Sequence, residues 1–207
     1  AAEQHTHFLL QEVGGTDVAI TSFLNKFQAT HYAGFTSGDG ISARGVASLH
    51  RKSDFLHPSQ PTYEVLVPGR ALLTQISDRR GHHYIYNIHY YQLTRAQVQK
   101  LNVSIASSLR LAQLHPGHYH VLIGGDFNFG FPEKSPVSLP DFSPARSHAG
   151  SYSFKSSGLA TTLSQAVRIQ HDSHSHFNAC NNVLNDIDHI FVGWPAWFLM
   201  QLDVKIC

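Results

Sequence analysis

The sequence predicts a mixed α/β domain in which two mainly antiparallel β-sheets pack as a sandwich covered by helices. Short apolar strand-like segments outnumber the helical ones, and several are joined by turns of hairpin length. Internal repeats and low-complexity tracts are absent, which excludes solenoids. A chain of 207 residues with 42% hydrophobic content can bury a sizeable core, and residues 1–207 are read as a single domain.

The elements follow in order. "THFLLQEV" reads as a buried strand, and "GGTDVAITSFLNKFQAT" as a helix capped by Thr16 or Asp17, with Ile20, Phe23, Leu24 and Phe27 on one face. "GVASLHRK" reads as a half-exposed strand, "YEVLV" and "ALLTQIS" as two strands joined at "PGR", and "HHYIYNIHYY" as a strand rich in β-formers. "LTRAQVQKLNVSIASSLRLAQLHPG" is the clearest helix. Thr94 and Gln97 form a capping-box pair, Val98, Leu101, Ile105 and Ala112 recur at helical spacing, and Pro116 with Gly117 ends it. "VLIGG" is a strand and "FPEKSPVSLPDFSPARSHAGSYSF" an extended loop. "GLATTLSQAVRIQ" then reads as a short helix, "NDIDHIFVG" as a strand, and "WFLMQLDVKI" as the final strand.

Charge bounds the function. Fifteen Lys plus Arg against fourteen Asp plus Glu give a net charge of +1, so polyanions are not bound through bulk charge and phosphate recognition must be local. Arg44, Arg51, Lys52, Arg70, Arg79 and Arg80 are candidates for such a track. The sixteen histidines would make the chain strongly cationic in mild acid. Two cysteines, Cys180 and Cys207, are too few for a disulfide framework and favour a reducing compartment. With no membrane-length apolar run and no visible secretory leader, the expected address is intracellular, nuclear or cytoplasmic.

The chemistry concentrates in "VLIGGDFNFG". Strand alternation sends Asp126 and Asn128 to one side and Phe127 into the core, so a carboxylate that can handle water or a cation stands beside an amide that can donate to a phosphoryl oxygen. The competing reading is a turn in which both merely bond the backbone. Glu12 ends an apolar strand, where a hard cation such as Mg²⁺ is a suitable partner for its carboxylate. In "NDIDHIFV", Asp186 and Asp188 share a side. His89 stands at a strand end, a position suited to an acid near a leaving oxygen. His171, His174, His176 and Cys180 have superficially ligand-like spacing and form a rival zinc site.

In this order, "LLQEV", "GRALLTQI", "YIYNIH", "VLIGGDFN" and "NDIDHIFV" resemble the endonuclease/exonuclease/phosphatase superfamily over nearly the whole chain. The resemblance implies a four-layer α/β sandwich and metal-dependent attack of water on a phosphoester. Glu12 would be the metal-binding glutamate for Mg²⁺, with Mn²⁺ as a substitute, and Asp126 the aspartate that positions or activates water. Asn128 would contact the scissile phosphate, His89 would stand beside the leaving group, and Asp188 would match the family's structural and catalytic aspartate, with Asp186 where arginine is usual. The family's opening Asn-bearing strand and closing Asp-His pair have no counterpart, so the domain is expected to be truncated at both ends.

The stretch "IQHDSHSHFNACNNVLNDIDHIFVGWPAW" is most similar to endonucleases linked to reverse transcriptases in non-LTR retrotransposons. That similarity implies DNA as substrate and a reverse transcriptase domain in a longer parent. Two other expectations stand beside it: a catalytically inactive remnant that binds nucleic acid or protein, and a lipid or inositol phosphoesterase.

Overall fold

The computed structural model describes residues 7–38, 44–130, 137–138, 152–153, 157–169, 176–178, 183–185 and 187–193. Along the chain these form β1 (His7–Val13), α1 (Asp17–Asn25), β2 (His31–Thr36), β3 (Gly45–Arg51), β4 (Thr62–Val67), β5 (Ala71–Asp78) and β6 (Gly81–His89). Then come α2 (Arg95–Leu114), β7 (Tyr119–Asp126), β8 (Phe129–Gly130), β9 (Val137–Ser138) and β10 (Tyr152–Ser153). The last are α3 (Ala160–Leu163), β11 (Val167–Ile169), β12 (His176–Asn178), β13 (Val183–Asn185) and β14 (Asp188–Val192).

Two sheets dominate, a three-stranded one in the order β1-β3-β2 and a six-stranded one in the order β11-β14-β7-β6-β5-β4. Within them every pairing is antiparallel except β6 with β7, which α2 connects. A parallel pair needs such a crossover, because a tight turn can only reverse the chain. Shorter pairings join β12-β13-β9 and β10-β8.

Alternation along each strand explains the layering. On one face of the large sheet Tyr86, Ile88, Val121, Ile123 and Phe191 pack with Leu101, Ile105 and Leu109 of α2. On the other, Ile76, Ile85 and Leu122 meet Leu9, Tyr32 and Phe55 from the small-sheet side. The outer face of the small sheet buries Ala47 and Leu49 against Ile20 and Leu24 of α1. Helix, sheet, sheet, helix gives the expected four layers. Gly124 lets the sheets approach closely, since a Cβ there would come within 2.6 Å of Leu9 Cδ1. One polar latch crosses this apolar layer: buried Asn87 donates to the Leu10 and Ala47 carbonyls at 3.2 and 2.8 Å and accepts from Gln11 Nε2 at 2.7 Å.

Both long helices start where their caps predict. Thr16 accepts from the Ala19 N–H, and Thr94 with Gln97 forms the reciprocal capping box. The structure also corrects several expectations and adds a strand. β3 is buried rather than half exposed, because it lies between β1 and β2 and is covered on both faces. β2 follows α1 directly and has no clean alternation in "HYAGFT" to signal it. Phe23 is largely exposed, since only Ile20 and Leu24 of α1 reach the core. The helix read in "GLATTLSQAVRIQ" is confined to Ala160–Leu163, and its β-branched end becomes β11. In the proline-rich segment read as a loop, 137–138 and 152–153 form short strands. The final strand read in "WFLMQLDVKI" lies outside the described residues. No helix among the described residues is long and apolar enough to cross a membrane.

Candidate functional site

Strand register assembles the site. His89 at the end of β6 is the direct partner of Asp126 at the end of β7, and Asp126 is in turn opposite Asp188 at the start of β14. Residues paired this way share a face of the sheet. That face carries Ile85 and Leu122 farther along the strands, so all three side chains line the rim of the layer between the sheets. Arg70 extends the row onto the next strand: its carbonyl accepts from the His89 N–H at 2.7 Å, and its guanidinium donates to His89 Nδ1 at 2.8 Å.

His89 is 3% exposed. Burial and then the Arg70 charge push its pKa down to about 4, against a smaller opposing pull from Glu12. At neutral pH it is therefore uncharged. Because Arg70 can only donate, His89 Nδ1 accepts and the ring proton sits on Nε2, which stands 3.9 Å from Asp126 Oδ2. His89 is thus a neutral donor at the strand mouth rather than an imidazolium acid.

The "GDFN" turn differs from the expected extended strand. β7 ends at Asp126, and Asn128 takes a left-handed conformation with φ 50° while its N–H donates to Asp126 Oδ1 at 2.9 Å. Simple alternation therefore does not describe the pair. Phe127 is fully buried as expected. The Asn128 side chain does not merely bond the backbone: its Nδ2 is buried without a hydrogen-bond partner. An orphaned amide donor is costly in a folded core, on the order of 1–3 kcal/mol, and is retained where a ligand completes it.

Glu12 approaches from the small sheet. The β1–β3 register slips between Leu10 and Val13, and Glu12 adopts φ 53° there. The Gln11–Asn87 hydrogen bond fixes this end of β1 over β6, two residues before His89. The Glu12 carboxylate is ion-paired with Arg44, both side chains being about half exposed at 51% and 58%. Gln92, with φ 52°, is a further left-handed residue at this end. Such strained positions cluster at ligand sites.

Among the described residues no group of three His, Cys, Asp or Glu side chains forms a ready-made metal cage. Magnesium does not require one, because it keeps several waters and often takes one or two carboxylates together with substrate phosphate. A half-exposed Glu12 carboxylate, close enough to His89 to act on its charge, and an unpartnered Asn128 amide at the end of β7 fit that chemistry. Asp186, His171, His174 and Cys180 lie outside the described residues, as does most of the retroelement-like stretch. His176 lies within β12.

No family model and no curated protein matches the sequence. Solved structures do match. A humanized D. rerio TDP2 with 14 mutations superposes with a TM-score of 0.52 at 16% identity, over 92% of this chain and 71% of that one. The fold is similar to that of TDP2. D. rerio TDP2 in complex with a single-strand DNA product gives a TM-score of 0.50 at 14% identity, over 92% of this chain and 72% of that chain. The expected sandwich of two mainly antiparallel sheets is the architecture observed, and it resembles the fold of TDP2. Identity this low makes the likeness to TDP2 one of fold alone.

Sequence reasoning missed the arginines' assignments. Of the supposed basic track, Arg51 pairs with Asp54 and Arg80 with Asp78 at the opposite end of the sandwich, while Arg44 and Arg70 stand at the site. The usable signal is position: Arg70 follows the "PG" turn at the start of β5, level with the end of antiparallel β6.

Proposed function

We propose that this chain hydrolyses phosphodiesters at the rim formed by Glu12, His89, Asp126, Asn128 and Asp188, with nucleic acid, specifically DNA, as substrate. The observation that carries the reading is the register that aligns His89, Asp126 and Asp188 on one face of adjacent strands. Glu12 would hold Mg²⁺, or Mn²⁺ in its place, and the bound ion would neutralise phosphate charge and act as a Lewis acid. Asp126 orients water and accepts its proton. Asn128 Nδ2 donates to a phosphoryl oxygen and so gains the partner it lacks. His89 Nε2–H, held by Arg70 on the far nitrogen, donates to the developing charge. Asp188 supports Asp126 from across the strand pair.

Nicking of supercoiled plasmid should require Mg²⁺ and fail in Asp126→Ala. Equal nicking by the two proteins would sink the assignment. The retroelement branch rests on residues 169–197 of the sequence; a reverse transcriptase reading frame in the same gene would support it.

The Glu12–Arg44 ion pair favours a second reading, a binding remnant in which a guanidinium already neutralises the acid that would hold the cation. DNA binding without Mg²⁺-dependent cleavage would favour that remnant.

A further inference from the structure

Four histidines meet between the sheets at the end away from the site, two from each sheet, and the proposed chemistry uses none of them. His7 of β1 and His50 of β3 are direct register partners in the small sheet, as are His83 of β6 and His120 of β7 in the large one. His7 Nδ1 stands 3.0 Å from His50 Nδ1. The His83 and His120 rings stack with centroids 4.9 Å apart and 26° between planes. Phe55 joins the two pairs, 5.2 Å from the His83 ring and 6.2 Å from the His7 ring.

This packing suits neutral rings only. A hydrogen bond between two Nδ1 atoms needs one bare nitrogen, so with both rings protonated two N–H groups oppose each other. His50 is fully buried and its Nε2 has no partner, so a protonated ring would direct one N–H at His7 and another at no acceptor. The nearby acids are already engaged. Asp54, which faces His7, pairs with Arg51 at 2.9 Å, and Asp78 accepts from Arg80 as well as from His83, each at 3.1 Å. His31 of β2 acts on His50, and Arg80 and His82 act on His83, all adding to the positive side. Burial is the first cause lowering the pKa of all four histidines, His7 to about 4, so they are uncharged at neutral pH.

The small-sheet layer is built from consecutive elements, β1, α1, β2 and β3, and its own core of Ile20, Leu24, Ala47 and Leu49 is too small to keep it folded alone. The main core, between the large sheet and α2, contains no residue of that layer. What attaches it is Leu9 and Tyr32 over Ile76, Ile85 and Leu122, the Asn87 latch and the histidine cluster. Such a weakly attached unit opens before the rest of a fold.

We propose that the cluster is an acid-operated release: protons entering it detach the β1–α1–β2–β3 layer, which carries Glu12 away from the His89–Asp126–Asp188 row while the large sheet and α2 stay folded. The release stands without catalysis, and only its effect on turnover rests on the phosphodiesterase reading. Detachment exposes the histidines to water, so below pH 6.5 the open form binds more protons than the closed one and closure weakens as the pH falls. Each histidine that stays neutral until release makes opening up to about tenfold easier per pH unit.

Amide hydrogen exchange of the full chain, without metal or substrate and corrected for the intrinsic effect of pH, tests the release. From pH 7.5 to pH 5.5 the protection of β1 and β3 should fall about 100-fold, tenfold each for His7 and His50. That of β6 and β7 should change less than about threefold, because their pairing and the α2 core stay intact. His7→Asn and His50→Gln should each reduce the fall to about tenfold, whereas His118→Gln, at an exposed turn, should leave it unchanged. An equal fall in β6 and β7, or none in β1 and β3, overturns the release. An undiminished fall in both His7→Asn and His50→Gln overturns the part given to the histidines. Mg²⁺-dependent hydrolysis of bis(p-nitrophenyl) phosphate at pH 7.5 reports on the catalytic reading separately. Its absence beside the expected exchange pattern would leave the release standing and reject catalysis, whereas hydrolysis with uniform exchange would reject the release alone.

Discussion

The two ends of the sandwich carry similar residue types and use them differently. At the end opposite the site, the Asp78 carboxylate is fully buried and accepts from the backbone N–H groups of Leu56, Arg80 and Gly81, from the Arg80 side chain and from His83. Burial alone would raise its pKa, but those hydrogen bonds hold it well below the usual carboxylate range. Every donor around it is consumed in closing the β5–β6 turn and pinning the chain at Leu56. At the site end Asp126 is likewise an acid beside a histidine, but His89 Nε2 stands 3.9 Å away, the Asn128 amide is unpartnered, and Glu12, Gln92 and Asn128 hold left-handed backbones. The contrast teaches that an acid–histidine pair by itself says little. What separates the ends is the acid's own surroundings, saturated at Asp78 and beside an orphaned amide at Asp126; an orphan or a left-handed residue alone does not, since His50 Nε2 and His57 (φ 51°) lie at the Asp78 end.

Exchanging the roles of the two acids is the strongest way to break the comparison. Asp126→Ala should lower phosphodiester hydrolysis by about 10²–10⁴, the usual cost of losing a general base, while urea unfolding changes little. Asp78→Ala should do the reverse. It strands several buried donors and should cost roughly 3–5 kcal/mol in urea unfolding, with the turnover of the remaining folded molecules preserved. If Asp126→Ala proved the destabilising variant and Asp78→Ala the inactive one, the assignment of the two ends would be inverted.

Acid should strike both ends together. Burial leads the causes that push His7, at the saturated end, and His89, at the site, down to about 4. His31, His50, His83 and His120 are lowered as well, each chiefly by burial. The unfolded chain takes up these protons near pH 6.5, whereas folded His7 and His89 take them only near pH 4. Between those values the unfolded state binds more protons, so stability falls as the pH falls through this window. At about 1.4 kcal/mol per unit, each of these two histidines contributes up to roughly 3 kcal/mol of that loss. The urea midpoint should drop from pH 7 to pH 5, and His89→Gln should flatten the profile by its share. A flat profile in the parent protein would show that the histidines are not held neutral.

Most of the frame was legible because it follows from periodicity and caps. The strands that end in His89 and Asp126 and the one that begins at Asp188 announce themselves by β-rich apolar runs, and α2 by Thr94 and Gln97. β2 and the burial of β3 were not legible, because both depend on which strands pair, a long-range property that no local window contains. At the site, residue identity pointed to Asp126 and Asn128, but the left-handed turn that relates them is a backbone choice that Asn tolerates without requiring. Arg44 and Arg70 stood in the sequence only among six scattered basic candidates, for the same reason as β2. Their positions are set by strand register and by contacts with Glu12 and His89 that lie far off in sequence.

The smallest expected effect bears on the same comparison at the level of one hydrogen bond. Gln11 Nε2 donates to Asn87 Oδ1 at 2.7 Å and to the Leu9 carbonyl at 3.0 Å, and this fixes the bulged end of β1 over β6. Its loss in Gln11→Ala should cost about 1–2 kcal/mol, because the buried Asn87 Oδ1 loses its donor while the Asn87 amide keeps its donations to Leu10 and Ala47. Function should suffer more than stability. Glu12 is the next residue, and a shift of about 1 Å in a positioned group can cost on the order of 100-fold in rate. Urea unfolding and Mg²⁺ titration of hydrolysis on the same variant should therefore diverge, with a near-normal midpoint and a raised Mg²⁺ requirement. A parallel fall in both would mean that β1 is held to the large sheet mainly through Gln11, and that the site end is as tightly coupled to global stability as the Asp78 end.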